Sequence, residues 1–512
     1  MANWTSGYAA DVDYTFGYFN ELNPLTIKLA LLDAGIAPPE TGTACELGFG
    51  QGVSINIHAA ASDTQWFGTD FSPTQAGFAQ QMAKASDNQA CLYDQAFADF
   101  VQRDDLPEFD FIALHGIWSW ISDENRHLLV DFFHRKLKVG GTLLISYNSP
   151  VGWAGMAPLR HLLNQHAHLL SSQGANPVDS IQAAFNFVEE FLNTNPAYLQ
   201  ANPQVKQAFD FIKKQDPHYL AHEYFSADWK PMAFSDMTNW LGAAKLDYVC
   251  SAHSLDQINA LNLTSADEEL INQQSNAVFR ETLRDLCMNQ QFRKDIWVKG
   301  ARRLDQFEQM EQLMSLRFVL TQCRSEIDLS VSGMRGPMNL KPETYEPILD
   351  FFADYQIKNL QELLVAMQAK EIGFDKVMQA MLILTGKNCL ALAQENTQIE
   401  QARMKTDKLN RFILQKARAS DDLVHLASPV TGGGIQVEGY EMLFLLALQF
   451  GHQTPETIAP FVWGLLKQRG VRLHRDGEWL DSDNDNIAEL TGQIAFFIGE
   501  PLRLYRALGL VD

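Results

Sequence analysis

Apolar and polar positions follow two distinct patterns over the first 150 residues of the chain. Short apolar stretches such as "TACELG" and "FDFIALHG" predict buried strands, and intervening stretches such as "SPTQAGFAQQMAKAS" have the apolar spacing of helices. Strands separated by helices of about ten residues or more form parallel sheets with helices on both faces. The pattern therefore predicts a doubly wound, Rossmann-like α/β domain.

The pattern changes beyond this domain. From residue 156 to about residue 225, helical stretches such as "IQAAFNFVEEFLNT" replace the strands and predict a helical insertion over the carboxyl edge of the sheet. Strand-like "DYVCSA" and "RKDIWVKG" follow, so we expect the sheet to be completed only near residue 300. From residue 341 amphipathic helices dominate, and two of them have the lengths of a winged-helix-like unit.

Composition and charge narrow the class of protein. The chain has 512 residues, 46% apolar and 20% charged, which is typical of globular proteins with several domains. Its formal net charge of −22 argues against nucleic-acid binding, because neutralising phosphates needs clustered lysine and arginine.

The longest apolar run, "MLFLLALQF", is about half a membrane span, and the N-terminus lacks the pattern of a signal peptide. The six cysteines form no CxxC pair, so we expect a reducing cytoplasm and no metal centre.

A glycine-rich turn, "ELGFGQG", follows the first predicted strand. It carries Gly48, Gly50 and Gly52 behind Glu46, and Asp70 follows about 20 residues later at the end of the second strand. A carboxylate in that position accepts hydrogen bonds from ribose hydroxyls. By themselves, the glycine turn and Asp70 also fit a dinucleotide site.

Three details favour a ligand other than a dinucleotide. Val53 stands where the dinucleotide pattern needs a third small residue. Glu46 places negative charge beside the turn, which disfavours a pyrophosphate and favours an amino group or a sulfonium. Asp99 is a second acid, placed where an adenine amino group is met. We therefore predict S-adenosylmethionine as cofactor, with Phe71 and Ala98, the sequence neighbours of the two aspartates, included in the site.

Further motifs point to a known family. They are "YTFGYFNELNPLTIKLALL", "HGIWSWI", "YNSPVGW", "LAHEYFSADWKPMAFSDM", "QFRKDIWVKG" and "ASPVTGGGI". Together with the glycine turn they resemble class I S-adenosylmethionine-dependent methyltransferases with a methyltransferase regulatory domain, which include rickettsial lysine methyltransferases acting on an outer-membrane protein. "YNSPVGW" departs from the family, which more often has proline directly before the glycine, so the shape of this loop is in question.

The resemblance implies a division of the chain and a flap near its start. Tyr14 and Tyr18 stand where the family has a flap over the cofactor, and a docked aromatic segment is the plainer interpretation. The expected parts are 1–155 for the cofactor-binding core with its flap, 156–232 for the helical insertion or lid, 233–305 for sheet completion and the regulatory segment, 306–400 for a winged-helix-like middle domain, and 401–512 for a C-terminal helical domain.

Candidate catalytic residues follow the fourth and fifth strands. In open α/β sheets the reactive centre lies past the carboxyl ends of the strands, which places "HGIWSWI" and "YNSPVGW" around the methyl group. Aromatic faces suit a sulfonium and an amine, and a histidine or tyrosine can relay the proton that an amine loses. Core packing for the tryptophans, and a turn-fixing role for the histidine, are the alternatives. The candidates are His115, Trp118, Trp120, Tyr147 and Asn148, with His115 also assigned to the cofactor site.

Three functions remain open from the sequence. The resemblance and the acidic charge favour methylation of lysines on a protein substrate, because an acidic surface attracts basic partners. A methyltransferase for a small molecule has the same fold and differs in its lid. A cofactor-binding regulator without catalysis is the third. A homodimer is compatible with each of them.

Overall fold

The computed structural model describes residues 15–170, 177–215, 220, 223–226, 228–437, 439–475 and 477–511. Its centre is a seven-stranded sheet with the strand order β3-β2-β1-β4-β5-β7-β6. The strands are β1 (Thr43–Leu47), β2 (Gln65–Asp70), β3 (Cys91–Asp94), β4 (Phe109–Leu114), β5 (Leu137–Asn148), β6 (Leu246–Ser251) and β7 (Phe292–Lys299). The first five strands pair in parallel, and the doubly wound prediction is confirmed.

One strand runs against the expected parallel direction, and another was not assigned to any residues from the sequence. β7 runs antiparallel to both of its neighbours, β5 and β6, so the sheet is mixed. The reversal follows from the chain path, because β6 ends at the carboxyl edge and β7 starts from that same edge. The edge strand β3 was not predicted, since it is short and only one of its residues is buried.

Helices cover both faces of this sheet and form the insertion. They are α1 (Thr26–Asp33), α2 (Val53–Ala61), α3 (Pro73–Ser86), α4 (Phe97–Phe100), α5 (Asp123–Lys136), α6 (Pro150–Trp153), α7 (Ala157–Leu170), α8 (Pro177–Asn193), α9 (Ala197–Ala201), α10 (Gln204–Ile212), α11 (Phe234–Gly242), α12 (Asn259–Asn262), α13 (Ser265–Asn272) and α14 (Ala277–Cys287). Within the described residues, no helix combines the length and apolarity needed to cross a membrane.

The insertion after β5 has an apolar core of its own, which includes the buried side chains of Leu163, Phe185 and Phe209. Its return segment is attached to two loops at the carboxyl edge of the sheet. Lys230 N donates to Ser119 O (2.8 Å), and Met232 N donates to Asn148 O (2.8 Å). The insertion therefore lies at the carboxyl edge, as the sequence predicted.

The chain beyond residue 300 forms a mostly helical region with small sheets. Its elements are α15 (Gln306–Ser315), β8 (Arg317–Leu320), β9 (Ser330–Gly333), β10 (Gly336–Asn339), α16 (Pro342–Phe351), β11 (Lys358–Asn359), α17 (Leu360–Gln368), α18 (Phe374–Gly386), β12 (Leu390–Leu392), α19 (Asn396–Lys416), β13 (His425–Ser428), β14 (Gly433–Gln436), α20 (Glu441–Gln449), α21 (Pro455–Gln468), β15 (His474–Arg475), β16 (Glu478–Trp479), α22 (Asp483–Phe497) and α23 (Glu500–Ala507). Helices α16 to α18 with the antiparallel sheet β11-β8-β12 supply the components of a winged-helix-like unit.

This C-terminal region packs directly against the domain of the seven-stranded sheet. Helix α19 lies against α2 and α3, and one continuous apolar core joins the two parts. Two hydrogen bonds from the C-terminal region reach the end of α2 and the residue after it: Gln394 Nε2 donates to Ala61 O (2.7 Å), and Lys405 Nζ donates to Ser62 O (3.0 Å). The C-terminal region thus covers the helices next to the glycine turn.

Candidate functional site

The glycine turn after β1 has a backbone that other residues rarely adopt. Gly48, Gly50 and Gly52 have φ values of 77°, 57° and 70°. A Cβ atom on Gly48 would lie 2.6 Å from the Ile117 side chain, and one on Gly52 would lie 2.4 Å from Ala79 Cβ. The glycines therefore let the turn fit between the loop after β4 and helix α3.

Asp70 ends β2 beside this turn. Its Oδ2 accepts from Gly50 N (2.9 Å) and its Oδ1 accepts from Ser72 N (3.0 Å), so backbone amides fix the carboxylate beside the turn. Burial raises the pKa of Asp70 to about 6, although both amides act against this rise. Asp94, aligned with it on β3, is a further acid that the sequence reasoning missed, because β3 itself was not predicted.

Glu46 is the most unusual group of the site. Its side chain is buried, and Oε2 has no hydrogen-bond partner among the described residues. Burial, and then the charge of Asp70, raise the pKa of Glu46 to about 8. A buried carboxyl oxygen without a donor is unfavourable, and a cationic amine or sulfonium would relieve it. The residues present therefore fit an adenosyl cofactor with a cationic amino-acid part better than they fit a pyrophosphate.

The remaining candidates for adenosine contacts lie on the same edge. Phe71 is half-buried directly after Asp70. Ala98 and Asp99 are exposed on the short helix α4, which follows β3. The structure thus groups these three residues beyond β2 and β3, and their contact with adenine stays a prediction.

His115 directly follows β4, and Phe19 and Glu21 lie next to its side chain. Its ring centroid lies 4.2 Å from that of Phe19, and its Nδ1 is buried without a partner among the described residues. Burial lowers the pKa of His115 to about 4, against the charge of Glu21, which forms an ion pair with Lys294. His115 is therefore neutral near pH 7, and one of its ring nitrogens is left for a ligand to contact.

The two tryptophans after β4 have different surroundings. Trp118 is fully buried, and its Nε1 donates to Met232 Sδ (3.3 Å), so it packs in the core. Trp120 is half-buried, with its ring 6.4 Å from Trp229 and 5.3 Å from the Arg160 guanidinium. Trp118 thus packs in the core and Trp120 lies at the contact between sheet and insertion, and a catalytic role for either stays a prediction.

Tyr147 lies on the opposite face of the sheet from His115. Its hydroxyl donates to Asp295 Oδ2 (2.6 Å), and burial raises its pKa well above the usual value. Asp295 and Lys294 are consecutive residues of β7, so their side chains point to opposite faces, and Lys294 is on the side of His115. The structure does not bring the Tyr147 hydroxyl together with His115.

Asn148 ends β5 and is hydrogen-bonded to the loop after β4 and to helix α6. Its N donates to Ser119 Oγ (2.9 Å), and its Oδ1 accepts from Trp153 Nε1 (3.2 Å). Its Nδ2 is buried and has no partner among the described residues. Asn148 therefore offers an amide donor at the carboxyl edge of the sheet.

The segment expected to form a flap is described from residue 15 onward, so Tyr14 lies outside the described residues. The Tyr18 hydroxyl accepts from Gly434 N (2.7 Å) and lies 3.2 Å from His58 Nε2, away from the glycine turn. Phe19, which the sequence reasoning missed, is the residue of this segment that meets His115. Its only signal in the sequence is the aromatic run "YTFGYF".

Comparisons with known proteins agree with this geometry. The family described as "Predicted methyltransferase regulatory domain" matches residues 216–299, which include β6 and β7. The structure is similar to PKMT2 from Rickettsia typhi, solved in complex with AdoHcy, with a TM-score of 0.72 and 17% identity over 97% of this chain and 100% of that one. At this identity the likeness establishes the fold.

Two sequence relatives match different lengths of the chain. The uncharacterized protein RP789 of Rickettsia prowazekii is 25% identical over 52% of this chain and 50% of its own length. The uncharacterized protein sll1526 of Synechocystis is 34% identical over 99% of both chains. A segment of the chain thus matches the predicted methyltransferase regulatory domain, and the whole chain belongs to the same family as sll1526.

Proposed function

We propose that this protein transfers methyl groups from S-adenosylmethionine to lysine side chains of a protein substrate by in-line displacement. The observation that carries the proposal is the buried, unpartnered oxygen of Glu46 beside the glycine turn. A carboxylate there supports a ligand with a positive charge, whereas a pyrophosphate would be repelled.

The residues of β1 and β2 have separate tasks in holding this cofactor. Asp70, which backbone amides hold in place, accepts hydrogen bonds from the ribose hydroxyls. Glu46 accepts hydrogen bonds from the amino group of the cofactor. The tight glycine turn lets the ligand approach the backbone closely. When bound, the cofactor supplies an electrophilic methyl group on a sulfonium.

The acceptor end of the site is formed by His115 and its neighbours. A lysine amine has a pKa near ~10.4 and must lose a proton before it attacks. His115 is neutral, and its unpartnered Nδ1 is placed to hydrogen-bond the incoming amine; because its pKa is lowered to about 4, it can pass the proton on towards solvent but is too weak a base to keep it. The net charge of −22 favours a lysine-bearing protein as partner over an acidic one.

Methyl-labelled S-adenosylmethionine tests the proposal. The purified chain is incubated with the label and a cell lysate, and protein is separated from small molecules. We expect label in protein, recovered as methylated lysine after acid hydrolysis, and less label with the matched Glu46→Gln variant at the same limiting cofactor concentration. Label confined to small molecules would instead identify a small-molecule methyltransferase. Cofactor binding with no transfer to any acceptor would point to a regulator.

A further inference from the structure

A short segment near the start of the chain, residues 18–23, connects the candidate site with the C-terminal region. We refer to it as the strap. On the side of the site, Phe19 N donates to Ser54 Oγ at the start of α2 (2.9 Å), and the Phe19 ring lies on His115. Glu21 forms its ion pair with Lys294 of β7. The strap is thus attached to α2, to β7 and to the loop after β4.

The other side of the strap is held by residues 429–434, which we refer to as the hairpin turn. These residues include the connection between β13 and β14. Gly434 N donates to the Tyr18 hydroxyl (2.7 Å), and Asn23 Nδ2 donates to Thr431 O (3.1 Å). The Tyr18 ring also lies 4.8 Å from that of His425 on β13. Tyr18 is therefore enclosed between α2 and the C-terminal hairpin.

The hairpin turn is shaped to receive Tyr18. A Cβ atom on Gly434 would lie 2.9 Å from Tyr18 Cζ, and one on Gly433 would lie 2.6 Å from the hydroxyl oxygen. Neither glycine has a left-handed backbone, so close contact, and not conformation, excludes a side chain there. Burial raises the pKa of Tyr18 above its usual value, so the hydroxyl stays protonated: it accepts from Gly434 N, donates to Asn20 Oδ1 (3.5 Å) and lies within hydrogen-bond distance of His58 Nε2.

We propose that the hairpin turn is a positioning element for the methyl-transfer site, and that Gly434 and Tyr18 are its positioning residues. By holding Tyr18, the turn fixes the adjacent Phe19 on His115 and Glu21 on Lys294. A strap held in place before binding loses less conformational freedom when ligands enter, and this strengthens binding. The inference rests on the proposed function for the identity of the ligand.

The first measurement is cofactor affinity by calorimetry, with S-adenosylhomocysteine as the probe. Gly434→Ala is compared with Gly464→Ala, a matched control in helix α21 where an added Cβ meets nothing within 4 Å. Loss of the fixed strap should weaken binding about tenfold in Gly434→Ala, the change expected when about 1.4 kcal/mol is lost. Gly464→Ala should bind like the parent. If the parent itself does not bind the probe, the proposed function fails and not the positioning role.

Tyr18→Phe provides a milder variant if Gly434→Ala does not fold. It keeps the ring between His58 and His425 and removes only the hydroxyl. We expect it to weaken binding by about threefold to tenfold, because the hydroxyl contacts that hold the strap are lost while the ring stays in place. Unchanged affinity in a folded Tyr18→Phe variant would overturn the proposal.

A double-mutant cycle separates positioning from a general loss of stability. Phe19→Ala removes the ring that contacts His115, and Gly434→Ala is then added to it. If the hairpin turn acts through the strap, the second substitution should weaken binding less than it does in the parent, because the Phe19 part of its target is already absent. If the two substitutions instead raise the dissociation constant by independent factors that multiply, the turn acts through overall stability, and the inference is overturned.

Discussion

Glu46 at the end of β1 and the pair Trp118 and Tyr147 at the ends of β4 and β5 differ in whether their buried polar atoms have partners. Glu46 is buried with an unpartnered oxygen and a raised pKa. Trp118 and Tyr147 are equally buried but bonded to Met232 and Asp295. An unsatisfied buried group indicates a place for a ligand, whereas a satisfied one indicates packing. Substituting Glu46 should therefore change binding, and substituting Trp118 or Tyr147 should change stability.

Trp118→Ala should have the largest effect and should act on stability. Removing a fully buried tryptophan costs about 3–5 kcal/mol through lost contacts and the cavity left behind. Urea unfolding followed by circular dichroism measures this loss. A Trp118→Ala variant as stable as the parent but slow in methyl transfer would reverse the assignment and return Trp118 to the reactive centre.

Glu46→Gln should weaken cofactor binding by about 1.5–3 kcal/mol, the contribution of hydrogen bonds to a charged group. The same change should stabilise the ligand-free protein at alkaline pH. Because the folded pKa of Glu46 is raised to about 8, its contribution to stability is complete below its unfolded pKa and is lost as pH rises through 8. Melting curves near pH 9 and pH 5 test this, and a stability gain that is equal at both pH values would contradict it.

Cofactor binding should release a proton near neutral pH. Glu46 is mostly protonated in the ligand-free protein, and a cationic amine favours its ionised form. Affinity should therefore rise between pH 6 and pH 7.5, by at most about tenfold per pH unit. Calorimetry in two buffers with different ionisation enthalpies counts the protons, and the Glu46→Gln variant serves as the control. Binding without proton release in the parent would mean that Glu46 does not face the amine.

Tyr147→Phe should have the smallest effect. It removes one hydrogen bond to Asp295, whose pKa burial raises to about 6. Because the bond favours ionised Asp295, the loss should be about 1–2 kcal/mol near pH 7.5 and smaller near pH 5, where Asp295 is protonated. Turnover should stay within about twofold of the parent, since the hydroxyl and His115 lie on opposite faces. A large drop in turnover at parental stability would restore the proton-relay hypothesis.

The sequence predicted most of the sheet because apolar periodicity is a local property. The reversed direction of β7 has no such signal, since a strand pattern reads the same in either direction. Glu46, the glycines and Asp70 were placed together correctly because they follow consecutive strands. Their contact with a cofactor stays a prediction.

The aromatic half of the site was harder to predict. Trp118 and Trp120 lie in a 3₁₀ turn, where no strand alternation indicates which side chain is buried. Tyr147 and Asn148 were both assigned to the reactive centre, although successive strand residues face opposite sides of a sheet. Phe19 and Lys294 reach His115 from distant parts of the chain, and no local pattern could have paired them.

The insertion after β5 has a consequence for how this family diversifies. Because it contains its own apolar core and its return segment joins the sheet through backbone hydrogen bonds, its surface residues are free to change without altering β1 or β2. Substitutions on the insertion can therefore change the surface at the carboxyl edge of the sheet while the residues around Glu46 stay in place.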